Sequence, residues 1–335
     1  MKNLAIAGVM SAVMAGGLLA QGGGLTTPKC PRGATAISPE TVAQDACQQA
    51  YDIYQLMSPQ LGLALTGGNA TAGQGGVLGG LGHFSVGVRA NVFDGKLPDV
   101  NQFQESTSGA VQRELPVTNQ ILGLPTADAA IGIFKGLPLA VTNIGGIDGL
   151  VSVSYVPSID QNNVKITPDQ NIKFGWGARL GLLSESIVVP AVSLTWVERD
   201  LPTTDIEATA GGNTLSINDL SVKTNAWRAV VSKSLIMFNV AAGVGQDRYK
   251  QSADISATVP QACAVTSCVA HVTDTQQDLT RTNAFVDFAL NLPFFKVVLE
   301  GGQASGGTVP TYNSFAGTTA DRSLLYGSLG LRFGF

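Results

Sequence analysis

The sequence predicts an all-β chain closed into an antiparallel barrel of about twelve strands, and three observations carry that prediction. Apolar residues recur at every second position in segment after segment. In 83–92, Phe84, Val86, Val88, Ala90 and Val92 share one face, with His83, Ser85, Gly87, Arg89 and Asn91 on the other. In 172–182, Ile172, Phe174, Trp176, Ala178, Leu180 and Leu182 alternate with Lys173, Gly175, Gly177, Arg179 and Gly181. A period of two is the signature of a strand with one face in an apolar medium. Second, the opposite faces carry mainly Gly, Ser, Ala and Asn rather than the charges of a water-exposed sheet, which suits a lumen. Third, the segments are about 10 residues long, the length of a tilted strand crossing a bilayer, so the barrel reads as transmembrane.

Composition excludes the competing classes. Charged residues are 13% of the chain against roughly a quarter in soluble domains, and Gly is 40 of 335 residues. Disordered chains are charge-rich and poor in aliphatics, whereas 44% of this chain is hydrophobic. No apolar run of about 18 residues follows the first twenty positions, so a helical membrane protein is excluded. A net charge of −4 without a basic cluster argues against a nucleic-acid partner.

The elements follow in order. Residues 1–20, with Lys2 ahead of an apolar stretch ending in Leu18-Leu19-Ala20, have the three-part pattern of a secretory signal peptide. Residues 21–59 form an N-terminal plug or periplasmic segment. Within it Ser38-Pro39-Glu40 reads as a helix start, and Val42, Ala46, Ala50, Ile53 and Met57 keep helical spacing until Ser58-Pro59. The barrel is expected over 60–335. Strong strands are expected at 81–93, 171–183, 187–198, 225–235, 237–249, 281–291, 294–303 and 322–335. Weaker ones are expected at 60–66, 127–135, 148–157 and 213–222, and totals of ten or fourteen also fit the pattern. The segment 94–126 is unassigned. Short links near Leu183–Ser186, Ser234–Ile236 and Leu292-Pro293 alternate with the polar stretches Glu198–Asn213, Gln246–Asp278 and Gln303–Ala320. Trp176, Trp196, Trp227, Tyr155 and Tyr326 are candidates for an interfacial aromatic girdle.

The final strand ends in Gly330-Leu331-Arg332-Phe333-Gly334-Phe335, with Leu331, Phe333 and Phe335 on one face. This resembles the C-terminal signal of bacterial outer-membrane β-barrel proteins. The resemblance implies an outer-membrane location, recognition of that strand by the barrel-assembly machinery, and closure of the last strand against the first. The pairing of an N-terminal helix with a barrel ending in Phe is also loosely similar to the outer-membrane long-chain fatty-acid and hydrocarbon transporters.

Four cysteines in an exported chain read as structural staples. Cys30 with Cys47 would tie the N-terminal segment to the helix, Cys263 with Cys268 would close a small loop, and other pairings remain open. The spacings fit no zinc site, and no cofactor or metal is expected. Lumen-lining candidates are His83, Arg89, Lys173, Arg179, Arg228, Asp287, Glu300 and Arg332. They would either form an internal ion-pair network or contact a solute. The leading function is passage of a small solute or hydrophobic molecule, through an open porin or a plugged barrel. The alternative is an anchor whose long surface loops bind a partner. His83-Phe84-Ser85 resembles the His-x-Ser arrangement of outer-membrane phospholipases and lipid A deacylases, in which His would activate Ser. No acidic third member is evident, and the chain is not expected to be an enzyme.

Overall fold

The computed structural model describes residues 24–32, 38–71, 73–161, 163–210, 212–260 and 268–334. Ten strands close a ring: β1 (Phe84–Pro98), β2 (Val117–Phe134), β3 (Gly146–Tyr155), β4 (Ile172–Leu183), β5 (Ala191–Asp200), β6 (Asn213–Leu235), β7 (Phe238–Val259), β8 (Cys268–Asn291), β9 (Lys296–Ser305) and β10 (Leu324–Gly334). Each pairs antiparallel with the next, and β1 pairs with β10 from Ser85↔Gly334 to Phe93↔Tyr326, leaving no free edge in the ring. The proposed signal segment 1–20, Cys263 and Phe335 lie outside the described residues.

The alternation turns the apolar side outward. Val88 is 55% exposed, Phe174 70%, Trp176 58% and Leu325 70%. A surface this apolar is stable only against lipid or detergent. Among the described residues no helix is long and apolar enough to cross a membrane; here the strands form the apolar belt. Four connections at one rim are short or hairpin-like: 135–145, 184–190, 236–237 and 292–295. The other rim carries the longer excursions 99–116, 156–171, 201–212 and 306–323. On that side a flap of three short strands, Ile159–Gln161, Val164–Pro168 and Thr204–Ala210, extends the sheet from β6.

Ten strands, a total the pattern also allowed, stand in place of twelve for two physical reasons. Residues 60–66 belong to the helix, not the wall. Segments 213–222 and 225–235 are one strand of 23 residues, because the polar stretch between them stays in the ladder through a bulge at Asn218/Ser221. The stretch Gln246–Asp278 is mostly hairpin rather than loop, since β7 and β8 run for 22 and 24 residues. The unassigned 94–126 divides between the end of β1, a loop and the start of β2. Pro190 falls one residue before β5, where its missing N–H costs the ladder nothing.

The helix α1 (Ser38–Thr66) occupies the lumen. Its 29 residues, at about 1.5 Å per residue, span about 43 Å, more than the roughly 30 Å hydrocarbon layer. Nearly every residue from Thr41 to Thr66 is buried, polar and apolar alike. The expected stop at Ser58-Pro59 does not occur. An internal Pro costs a helix about 3 kcal/mol, but here the wall encloses the helix, and side chains satisfy neighbouring carbonyls. Ser58 Oγ donates to Tyr54 O (2.7 Å) and Gln60 Nε2 to Leu56 O (3.0 Å).

Candidate functional site

The helix runs from the loop rim to the short-turn rim. At its start Thr41 Oγ1 donates to Thr107 O (2.6 Å), and Asp45 accepts from the Ser106 and Val111 amides (2.8 and 3.1 Å) while pairing with Arg113 (2.9 Å). Asp52 accepts from the Tyr312 and Asn313 amides (2.9 and 3.0 Å). Burial raises the carboxyls of Asp45 and Asp52 above their ordinary range, Asp52 to about 6, and the amide bonds recover part of that shift. The disulfide Cys30–Cys47 ties the preceding segment to the helix, with Cα atoms 5.9 Å apart. Cys268 is disulfide-bonded as well.

The helix C-terminus meets a set of arginines. The last carbonyls of a helix lack partners, and the macrodipole makes that end negative. No basic residue occupies the last turn of α1; the barrel wall supplies the cations. Arg199 Nη1 donates to Leu65 O (3.2 Å), Arg228 Nη2 to Thr66 O (3.1 Å), and Arg89 Nη1 to Gly67 O and Asn69 O (3.0 Å each). Asn91 Nδ2 adds a bond to Gly67 O (2.9 Å). Carboxylates hold these arginines: Asp128 pairs with Arg89 (2.8 Å) and Arg199 (3.0 Å), and Asp247 pairs with Arg228.

Below this latch the tail 67–83 folds across the short-turn mouth. Asn69 N donates to Glu300 Oε2 (2.8 Å) and Asn69 Nδ2 to Asp287 Oδ2 (2.9 Å), the two acids being cross-strand neighbours. Gly68 N donates to Tyr326 Oη (3.1 Å). Arg332 Nη1 reaches Thr71 O (3.2 Å), and Arg179 Nη1 reaches Thr71 Oγ1 (2.6 Å). Arg179 is clamped by Asp148 at 2.6 Å, with both side chains fully buried. Gly68 sits at φ +83°, and a Cβ there would lie 2.0 Å from Glu300 Oε1. Gly68→Ala is therefore expected to cost about 1–2 kcal/mol from the backbone alone. The steric clash adds to that. The check is a series of samples heated to increasing temperature before a denaturing gel, in which the compact, fast-migrating barrel of the variant should convert to the slower unfolded band at a lower temperature.

Of the expected lumen residues, Arg89, Arg179, Arg228, Asp287, Glu300 and Arg332 converge on Thr66–Thr71. Lys173 is only half-buried, near the loop rim. His83 is exposed just before β1, outside the lumen, because the ladder begins at Phe84. Ser85 is buried on the inner face, so His83 and Ser85 face different surroundings. Tyr326, a girdle candidate, points inward at 5% exposure and hydrogen-bonds the plug; Trp176, Trp227 and Tyr155 do face outward. Sequence reading missed Asp128, Asp148, Arg199 and Asp247. The signal was present in the parity: Arg199 continues the face of Ser193 and Thr195, and Asp247 that of Asn239, Gly243 and Gly245.

A second feature lies nearer the loop rim. An apolar cavity of about 290 Å³ opens between α1, the start of β6 and the flap. Ile53, Met57 and Leu61 line it from the helix, Leu97 from β1, Ile206 from the flap and Ile217 from β6. Among the described residues, Tyr54 and Thr204 are the only polar ones of its wall, and no charged residue lines it.

No protein-family model and no curated protein matches the chain. Solved structures do, at low scores. The chain is similar to the transport unit of the autotransporter AIDA-I from Escherichia coli, at 8% identity and a TM-score of 0.33 over 87% of this chain and 99% of that one. It is also similar to OmpT, an outer membrane protein of Vibrio cholerae (9% identity, TM-score 0.19, 75% and 96% covered), and to the outer membrane channel DcaP of Acinetobacter baumannii (11%, 0.17, 76% and 96%). The closed ring of this chain itself makes the barrel.

Proposed function

We propose that this chain is an outer-membrane barrel for passage of a small molecule, held closed by its own N-terminal helix. The observation that carries this reading is the polar latch. Eight strands already make an interior that side chains alone can fill, and this ten-stranded lumen instead holds a separate helix. That helix is held at its end by hydrogen bonds from the wall arginines that water can replace, and it joins the wall through a tail rich in Gly at positive φ: Gly68, Gly73, Gly79, Gly80 and Gly82. This is the construction of a hatch, and it argues against an open diffusion porin. The anchor reading has its own support, since β6, β7 and β8 are about twice the length that crosses a bilayer and raise a wall beyond it.

A reversible lock separates the two. A Cβ on Gly67 would lie 3.4 Å from Asn91 Cγ, so the pair Gly67→Cys with Asn91→Cys is positioned to fix the plug to β1. Proteoliposomes carrying the reduced double variant are expected to admit small radiolabelled solutes, and oxidation is expected to stop uptake. Equal uptake in both states would show that the plug need not move. No uptake by wild-type or reduced protein, across hydrophilic and hydrophobic solutes, would leave the anchor reading.

A further inference from the structure

We infer that the polar cavity at the short-turn mouth is a binding site for a compact phosphate-bearing anion. A cavity of about 210 Å³ lies there between the tail of the plug and the wall, with Gln74 and Gly76 of the tail on one side and Ser232 and Asn239 on the other. Lys135, Lys296 and Arg332 also line it, and among the described residues Glu185 is the only acid of the lining. Lys296 on β9 stands directly opposite Arg332 on β10, both on the inner face. The next residues of that row are Asn291 and Gly87, so no carboxylate flanks the two cations in the ladder. Like charges directly opposed across strands are destabilising. Elsewhere in the lumen Arg89, Arg179, Arg199 and Arg228 each pair with an aspartate. Glu185 does not play that part here. Its carboxylate accepts the Ser234 amide (2.6 Å) and Ser234 Oγ (3.0 Å) and faces Lys233 (3.6 Å). At Lys296 the repulsion of Arg332 exceeds the attraction of Glu185. Arg332, only 6% exposed, is likewise repelled by Arg179 more than it is attracted by Asp287. Three cations against one engaged carboxylate leave an excess of about two positive charges, which a phosphate group, at about −1.5 to −2 near pH 7, matches. The planar guanidinium of Arg332 suits its oxygens, and Lys296 adds a point charge. That such an anion is the cargo rests on the passage reading; that it binds does not.

Equilibrium dialysis of radiolabelled inorganic phosphate against the protein in maltoside micelles, and separately in phospholipid nanodiscs, measures binding. One saturable phosphate per chain is expected in micelles, persisting in about 0.15 M NaCl, where diffuse surface attraction is screened. Binding in nanodiscs as well makes the occupant a free solute; binding in micelles alone makes it a lipid headgroup carrying the same phosphate. Lys296→Gln is expected to weaken binding about ten- to hundredfold, the loss of one charge-assisted contact. Lys223→Gln, exposed on the outer face of β6, should leave it unchanged. Lys296→Glu sets a carboxylate opposite Arg332, and it should abolish phosphate binding while raising the temperature at which the folded band converts. Each variant is checked for that fast-migrating band. No saturable binding in either preparation, or equal affinity in Lys296→Gln and wild type, would overturn the site. So would a Lys296→Glu variant that converts at a lower temperature than wild type. Saturable binding together with lock-independent solute uptake would retain the site and reject the hatch; lock-gated uptake without phosphate binding would do the reverse.

Discussion

Replacing Asp148 by alanine is expected to lower the stability of the folded barrel by about 3–5 kcal/mol, the cost of leaving a buried partner charge unpaired. Asp148 Oδ2 receives both Arg179 Nε (2.9 Å) and Nη2 (2.6 Å), and the same carboxylate accepts the Leu78 amide at 3.1 Å from the tail of the plug. The substitution thus strands Arg179 between β3 and β4 and frees the tail at the short-turn mouth together. Urea titration in detergent, following loss of the fast-migrating band, measures the change. A companion variant, Asp148→Leu with Arg179→Met, removes both charges and should recover most of the loss, because an apolar pair of similar size needs no desolvation. If Asp148→Ala is as stable as wild type, the ion pair does not hold wall to plug.

The wall was legible because one chemical constraint acts on it throughout. Every lipid-facing position must be apolar, so Phe174, Trp176, Leu180, Leu329 and Phe333 announce their face residue by residue. The lumen imposes no such rule. It accepts Gly, Ser, Arg or Tyr according to what fills it, and that filling comes from a distant part of the chain. Hence Tyr326, aromatic and near the chain end, reads as a girdle residue but hydrogen-bonds Gly68. Likewise Leu61, Leu63 and Leu65 read as a strand by alternation, yet they continue the helix past Pro59 because the barrel encloses it. The length of the ladders was hidden for a related reason. Beyond the bilayer the ladders of β6, β7 and β8 continue without the apolar code, so Gln246–Asp278 looks like loop although most of it is paired.

The apolar cavity was the least legible feature. Its helical side, Ile53, Met57 and Leu61, belongs to a stripe that any buried helix carries, and the opposite side is assembled from Leu97 on β1 and from Ile206 and Ile217, which lie far from it in sequence. No local pattern distinguishes a stripe that meets a wall from one that meets a void. The arginine latch lies between these extremes. Parity assigns Arg89, Arg199 and Arg228 inward, but only the threaded helix end explains why three guanidinium groups gather at one depth.

That gathering sets the second large effect. The triple variant Arg89→Gln, Arg199→Gln, Arg228→Gln is built on an Asp128→Asn, Asp247→Asn background, so that no partner carboxylate is left buried and unpaired. It keeps side chains of intermediate length and polarity while removing the three charges that hold the carbonyls of Leu65, Thr66, Gly67 and Asn69. A hydrogen bond to a charged donor contributes about 1.5–3 kcal/mol, so three such losses shift the closed–open balance by roughly a thousandfold even at the low end. In planar bilayers the wild-type chain is expected to show little steady conductance, and the triple variant frequent, large, voltage-independent openings. The direction follows from where the energy resides. The upper helix is tied to the loop rim through Asp45, Asp52 and the Cys30–Cys47 bridge, none of which the variant touches. Only the lower end is freed, and it is joined to β1 by the glycine-rich tail. Opening should therefore begin at the short-turn mouth. A thiol-reactive reagent applied from that side should reach Ser85→Cys in the triple variant far faster than in the wild-type background. A silent triple variant with a protected Ser85→Cys would mean that packing along the whole helix, rather than the latch, keeps the lumen shut.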